Sequence, residues 1–81
     1  MIVMVKLFAT LRKYGPIDIK LGDSFPVTLE EDANVATLLR KLKISEDQAK
    51  IIMINGNIQE LQEKLNGEDV VAIFPPVGGG S

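Results

Sequence analysis

Apolar and polar positions alternate along much of the chain, a pattern typical of half-buried β-strands. The first segment, Ile2–Phe8, is apolar on both faces except for Lys6, so we predict a first strand that is largely buried. A second alternation, Phe25–Leu29, has Pro26 near its start, as expected for a strand start or an edge strand. These two segments predict a hairpin. Whether the short alternation Ile17–Leu21 adds another edge strand stays open.

One segment, Val35–Leu42, repeats its apolar residues at helical spacing and follows Asn34, the predicted N-cap. We expect this helix to lie across the sheet and to supply most of the core. Shorter helical turns are predicted at Ser45–Gln48, which has the form of a capping box, and within Gln59–Leu65.

A further helical turn is predicted at Ala9–Tyr14, with Leu11 facing inward and Arg12 and Lys13 facing outward. Leu11 and Arg12 are candidates for a docking surface. We favour the simpler interpretation, a solvated arginine beside a buried leucine.

The second half of the chain adds three strands. Ile51–Ile54 is fully apolar, and the Asn55–Gly56 turn signal leads to a brief returning edge at Asn57–Ile58. Val70–Phe74 is the last strand. The predicted order of elements is β-β-α-β-β-β. Because the first and last strands are both apolar on two faces, we expect them to lie side by side and parallel in the centre of the sheet. The prediction is a mixed sheet with one main helix packed on one face.

Composition excludes several classes of function. The 81 residues suffice for one small domain, and a net charge of −2 gives no case for nucleic acid or an anionic membrane as partner. No signal peptide or membrane-spanning run is recognisable, so we expect a cytoplasmic protein. Cysteine and histidine are absent, which excludes disulfides, thiolate nucleophiles, Ser-His-Asp triads and ordinary zinc sites. We therefore expect no metal site, and a carrier or binding module rather than a free-standing enzyme.

The C-terminal end has the strongest functional pattern. Pro75 and Pro76 follow the last strand and should end its pairing, because they lack N–H donors and have a fixed φ. Gly78–Gly80 carry no side chains, so this segment fits a slot too narrow for other residues. We divide the chain into a domain, residues 1–76, and a flexible glycine-rich tail, residues 77–81.

Four segments, in order and spacing, resemble one known family: Lys6–Arg12, Val35–Leu42, Ile54–Gly56 and Val71–Gly80. They are similar to the small sulfur-carrying subunit of molybdopterin synthase, within the MoaD/ThiS ubiquitin-like family. The similarity covers nearly the whole chain, and the specific part is Phe-Pro-Pro-Val followed by glycines. The resemblance implies an α+β fold, a ubiquitin-like β-grasp with a mixed sheet of four to five strands and one main helix.

The resemblance also implies a reaction at the chain terminus. A ubiquitin-activating-like adenylyltransferase, using ATP and magnesium, adenylates the C-terminal glycine carboxylate, which is then converted to a thiocarboxylate. The tail enters the large subunit of molybdopterin synthase and donates its sulfur to a pyranopterin. In this chain the reactive terminus would be Gly80, and the carrier itself binds no cofactor. The residues implied to bind the partner are Phe74, Pro75, Pro76, Val77, Gly78 and Gly79.

One departure from the family pattern is Ser81, which follows the expected terminal glycine and blocks its carboxylate. Ser81 is either trimmed by a protease, or a remnant of an engineered linker, or part of an inactive or serine-ended variant. We expect Gly80 to become the working terminus after loss of Ser81. The alternatives for function are a sulfur carrier of the thiamine pathway, against which the two prolines argue, and a ubiquitin-like modifier or interaction module without sulfur transfer.

Overall fold

A computed structural model describes residues 1–20 and 22–76. It contains five strands, one α-helix and two short 3₁₀ helices. The strands are β1 (Ile2–Leu7), β2 (Phe25–Thr28), β3 (Ile51–Ile54), β4 (Asn57–Gln59) and β5 (Val70–Phe74), the α-helix is α1 (Val35–Leu42), and the 3₁₀ helices are Ala9–Tyr14 and Glu46–Gln48. No helix among the described residues is long and apolar enough to cross a bilayer.

The five strands form one mixed sheet in the order β2-β1-β5-β3-β4. The two chain-terminal strands, β1 and β5, are adjacent and parallel, with Val5 opposite Val71, and β2 pairs antiparallel with β1. On the other side of β5, β3 and β4 form an antiparallel hairpin. This arrangement confirms the predicted β-grasp topology, with the last strand in the centre of the sheet.

Helix α1 packs on one face of this sheet. The Asn34 side chain caps its first turn by accepting a hydrogen bond from the backbone N–H of Thr37 at 2.9 Å, which confirms the predicted N-cap. The last turn ends at Lys43, whose φ of 64° is the left-handed conformation that commonly terminates helices. The helix buries Val35, Leu38 and Leu39 against the inward face of the sheet.

The β3–β4 hairpin turns at Asn55 and Gly56, as predicted. Both residues have positive φ, 53° and 88°, which matches a two-residue turn whose twist suits antiparallel strands. The Ser45–Gln48 capping box is also present, since the Gln48 side chain accepts from the Ser45 backbone N–H at 3.1 Å.

Two predictions about the loops need correction or completion. Gln59–Leu65 forms no helical turn; its backbone instead pairs with the start of α1, where Val35 N–H donates to the Glu63 carbonyl at 3.1 Å and Leu65 N–H to the Ala33 carbonyl at 2.9 Å. The Val35 N–H, together with the Ala36 N–H that donates to the Leu61 carbonyl at 3.0 Å, is one of the otherwise free donors of the first helical turn. Residues 17–20 form a turn and not a strand, and Leu21 lies outside the described residues.

The prediction that β1 is largely buried was right for one face and wrong for the other. Val3, Val5 and Leu7 are buried beneath α1. Ile2 is exposed, and Met4 and Lys6 are only half-buried. The reason is that the chain provides a single helix, which covers one face of the sheet. Among the described residues, no second layer covers the other face.

Candidate functional site

The base of the predicted tail is held by backbone hydrogen bonds from both sides. The carbonyl of Phe74, the last residue of β5, accepts from Lys50 N–H at 2.9 Å, and the Ile73 carbonyl accepts from Phe8 N–H at 3.3 Å. Pairing of β5 ends at Phe74, as the following Pro75 predicts. The point at which the chain leaves the sheet is therefore fixed.

The Phe74 ring lies against a second aromatic ring at this point. Phe8 and Phe74 are stacked with centroids 4.4 Å apart and ring planes only 9° from parallel. Both side chains are half-buried. Phe74 therefore lies neither in the core nor fully exposed to solvent. Phe8 was not singled out from the sequence. The sequence pattern that could have identified Phe8 is the alternation of the first strand, which places Phe8 on the same face as Met4 and Lys6.

The stacked rings lie at one end of an apolar surface, the sheet face that α1 does not cover. We call this surface the open face. The ladder register places its members together, with Met4 opposite Val70, Met53 opposite Ala72, and Ile58 opposite Met53. Its residues on β1, β3, β4 and β5 and directly after β1 are Ile2, Met4, Lys6, Phe8, Ile51, Met53, Ile58, Val70, Ala72 and Phe74, and β2 adds Pro26 and Thr28.

The open face has the character of an interaction surface. Ile58 is 71% exposed and Ile2 51% exposed. Contiguous apolar patches of this kind on a small protein are typical of contacts with a partner. Lys6 is the one charged residue in the set and lies opposite Ala72 in the ladder. Within the described residues, Lys6 makes no ion pair.

The start of β5 is fixed by a hydrogen-bond network that sequence reasoning missed. The Asp69 carboxylate, 8% exposed, accepts from the Asn55 side-chain amide at 2.9 Å and from Asn66 N–H at 2.8 Å. The Asn55 side-chain oxygen in turn accepts from Val70 N–H at 2.9 Å. The predicted turn residue therefore also links the β3–β4 hairpin to the strand that carries the tail.

The acidic residues that lie near one another along the chain are surface groups. Glu30, Glu31, Glu60 and Glu63 are all exposed, and Glu31 lies 3.1 Å from the N-terminal ammonium. Within the described residues, no three acidic side chains are close enough together to hold a metal ion.

The predicted site residues divide into two groups. Phe74, Pro75 and Pro76 lie at the end of β5, where the structure describes them. The rest of the predicted partner-binding tail and the predicted reactive terminus lie outside the described residues: Val77, Gly78, Gly79, Gly80 and the blocking Ser81. The division into residues 1–76 and a tail of residues 77–81 therefore stays a prediction.

Comparisons with known proteins agree with this geometry. The ThiS family matches residues 5–80. A protein assigned as molybdopterin converting factor subunit 1 from Pyrococcus furiosus is similar in structure, with TM-score 0.70, 30% identity, and coverage of 94% of this chain and 98% of that one. SAMP1 from Haloferax volcanii is also similar, with TM-score 0.69, 25% identity, and coverage of 99% and 100%.

A third similar structure is a complex. It contains subunits 1 and 2 of the molybdopterin-converting factor from Helicobacter pylori 26695, and the match has TM-score 0.56, 27% identity, and coverage of 99% of this chain and 100% of that one. A comparison with curated proteins gave no significant match.

Proposed function

We propose that this chain, which belongs to the ThiS family of small ubiquitin-like sulfur carriers, carries sulfur for molybdopterin synthesis. The observation that supports this pathway is the Phe74-Pro75-Pro76 sequence, which leads from the central strand into three glycines. The similar structures described as molybdopterin converting factor subunits also favour it. Members of this family are carriers and not catalysts on their own.

The proposed chemistry takes place at the carboxylate of Gly80. A carboxylate is a poor electrophile, so an adenylyltransferase partner first transfers AMP from ATP to it, releasing pyrophosphate with the help of magnesium. Hydrosulfide released by the sulfur donor then displaces AMP from the acyl adenylate, which leaves a thiocarboxylate on Gly80. The thiocarboxylate then transfers its sulfur to the pyranopterin held in the large subunit of molybdopterin synthase, and water returns the Gly80 terminus to a carboxylate. In this scheme the partners supply the catalytic groups, and the carrier supplies the terminus and the surfaces that present it.

The open face and the proline pair suit the task of presenting the tail. A partner that covers the open face would bury exposed apolar side chains, each worth about 1.5–3 kcal/mol when fully buried. The Phe8–Phe74 stack lies where that surface meets the tail. Pro75 and Pro76 restrict the backbone at the exit, so less conformational entropy is lost when the tail enters a slot.

Intact-mass spectrometry tests the proposed reaction. The full chain and a chain that ends at Gly80 are each incubated with the activating enzyme, ATP, magnesium and a sulfur donor. We expect the chain ending at Gly80 to show the mass change of one oxygen replaced by sulfur. The full chain should react only after losing Ser81. No mass change in either chain would contradict the proposal.

A second candidate function is a ubiquitin-like modifier, which the similarity to SAMP1 favours. It uses the same activated terminus but forms an amide with a lysine of another protein instead of a thiocarboxylate. The two functions differ in product. Covalent adducts on other proteins, without sulfur incorporation, would replace the sulfur-carrier proposal with the modifier.

A further inference from the structure

One polar atom in the first 3₁₀ helix lacks a partner. The Nε of Arg12 is sealed from solvent and has no hydrogen-bond acceptor among the described residues. Leaving a buried donor unpaired costs about 1–3 kcal/mol, and such groups in native proteins are rare enough to need an explanation. Arg12 as a whole is only half-buried. The interpretation of Arg12 as a simply solvated side chain is therefore incomplete.

Arg12 lines a cavity that has both charged and apolar walls. The cavity has a volume of about 490 Å³, which is within the range of about 300–1,000 Å³ of small-ligand sites. Its walls are Arg12, Lys13, Gly15, Pro16, Ile17 and Ile19.

The charged and apolar groups of this cavity are both available to a ligand. Ile17 is fully exposed. Asp18 lies in the same loop but forms no ion pair with Arg12 or Lys13. The Lys13 ammonium lies 5.4 Å from the centroid of the Tyr14 ring, a cation–π contact that helps to hold it in place. Two cations and an exposed aliphatic side chain therefore share one cavity.

The cavity lies at the end of the sheet from which the tail leaves. Strands β1 and β5 are parallel and in register, so their C-terminal ends meet at the same edge of the sheet. The 3₁₀ helix with Arg12 follows β1 directly, just as Pro75 follows β5. A partner that takes up the tail therefore comes close to this cavity.

We propose that the cavity binds an acidic side chain of the protein partner that receives the tail, an aspartate or glutamate next to an aliphatic residue. The planar guanidinium of arginine matches a carboxylate with parallel N–H donors. The carboxylate would first meet the terminal guanidinium nitrogens, and a rotation of the Arg12 side chain towards it would give the sealed Nε an acceptor as well. The aliphatic neighbour would cover Ile17. An inorganic anion would leave Ile17 exposed, which is why a protein side chain fits better.

A titration with short blocked peptides tests the cavity without any partner. The ¹⁵N-labelled protein is titrated with acetyl-Leu-Glu-amide, and with acetyl-Leu-Gln-amide as the matched neutral control, at constant ionic strength. We expect the Glu peptide to shift the Arg12 Nε–H signal and the amides of Lys13 and Ile17 in a saturable manner. Equal shifts with both peptides, or no shift with either, would overturn the proposal.

A second experiment uses the large subunit of molybdopterin synthase and so rests on the proposed function. Arg12→Gln should weaken binding about tenfold to hundredfold, as expected for loss of a hydrogen-bonded charge. Arg40→Gln is the control, because Arg40 is exposed on α1 and its removal changes the net charge equally; its effect should stay within about twofold. Thermal unfolding of each variant verifies the fold.

The two proposals fail in different ways. If the unmodified chain does not bind the large subunit, the proposed function is wrong, and the peptide titration still decides whether the cavity binds a carboxylate. If the unmodified chain binds and Arg12→Gln binds equally well, the role of the cavity is wrong, while the proposed function stands.

Discussion

Met53 on β3 offers a direct test of whether the open face is a docking surface, through the substitution Met53→Asp. Its side chain is half-buried and lies beside Ala72 and Ile58, on the face that α1 does not cover. An added carboxylate stays in contact with water, so the main cost is the lower β-propensity of aspartate, on a scale that spans about 1 kcal/mol. For a domain of this size, that corresponds to a fall in Tm of about 4–8 °C.

The same substitution at the adjacent residue, Ile52, should have a much larger effect on stability than at Met53. Ile52 precedes Met53 in the same strand, faces α1 and is 4% exposed. Ile52→Asp places a charge in the core, and the chain should not fold, because the penalty of several kcal/mol is comparable with the whole stability expected of a small domain, about 5–15 kcal/mol. Unfolding followed by circular dichroism measures this difference between neighbouring positions.

Binding affinity shows whether a partner contacts the open face or another part of the surface. Met53 is already half-buried, so a bound partner adds only part of the about 1.5–3 kcal/mol of full burial. Met53→Asp loses this part and also places a carboxylate under the partner, away from water, so affinity for the large subunit should fall at least about tenfold. Asn57→Asp adds the same charge at an exposed position of β4 on the opposite face, and its affinity should match that of the unmodified chain. Calorimetric titration gives both values. Unchanged affinity for a folded Met53→Asp would refute a docking role for this face.

Three further predictions concern the structure that supports the tail. A double-mutant cycle of Phe8→Ala and Phe74→Ala, measured by urea unfolding, should give a coupling of about 0.5–1.5 kcal/mol; a value near zero would mean that the 4.4 Å stack adds nothing beyond apolar burial. Asp69→Ala removes the acceptor of two hydrogen bonds and should destabilise the fold by about 3–6 kcal/mol, from about 1.5–3 kcal/mol for each bond to a charged group; hydrogen exchange should quicken at Asn66, and unchanged exchange would contradict this. Asn34→Ala should cost about 1 kcal/mol in thermal unfolding, whereas Asn34→Gly should cost only a few tenths; equal losses would contradict the capping role.

The sequence predicted the positions of the strands and of the main helix more accurately than the solvent exposure of their side chains. Strict alternation located the strands, and the apolar character of Val70–Phe74 on both faces predicted its central position, which the sheet order confirms. The same reasoning failed for the exposure of Ile2. Alternation shows that a face is apolar, but it does not show what covers that face. In a chain with a single main helix, one apolar face of the sheet has no cover among the described residues.

The loops were harder to predict because their structure depends on distant backbone groups. Leu61 and Leu65 are four residues apart, which suggested a helical turn. The free N–H groups at the start of α1 instead recruit this segment through hydrogen bonds to the Glu63 and Leu61 carbonyls. The position of Asp69 had no sequence signal of this kind. Its role becomes visible only when the β3–β4 hairpin and the start of β5 come together.

The candidate site shows the same division between local and long-range information. The proline pair and the glycines are local signals, so the tail could be predicted from the sequence alone, and it stays a prediction. Phe8 could not be assigned in this way, and Arg12 could be named only as a docking candidate, because their positions depend on β1 and β5 being parallel and ending at one edge of the sheet. The parallel pairing of β1 and β5, which are far apart in the chain, brings Phe8 and the Arg12 helix to the edge of the sheet where β5 ends.

This topology also limits how the proposed carrier can work. The described chain leaves the sheet at Pro75, beside the Phe8–Phe74 stack and at the same edge of the sheet as the 3₁₀ helix that carries Arg12. The activating enzyme and the sulfur acceptor must both reach Gly80, so they cannot occupy the tail at the same time. Release by one partner must therefore precede capture by the next. A surface of exposed apolar residues with few charges suits this exchange, because different partners can cover it without each needing its own set of ion pairs.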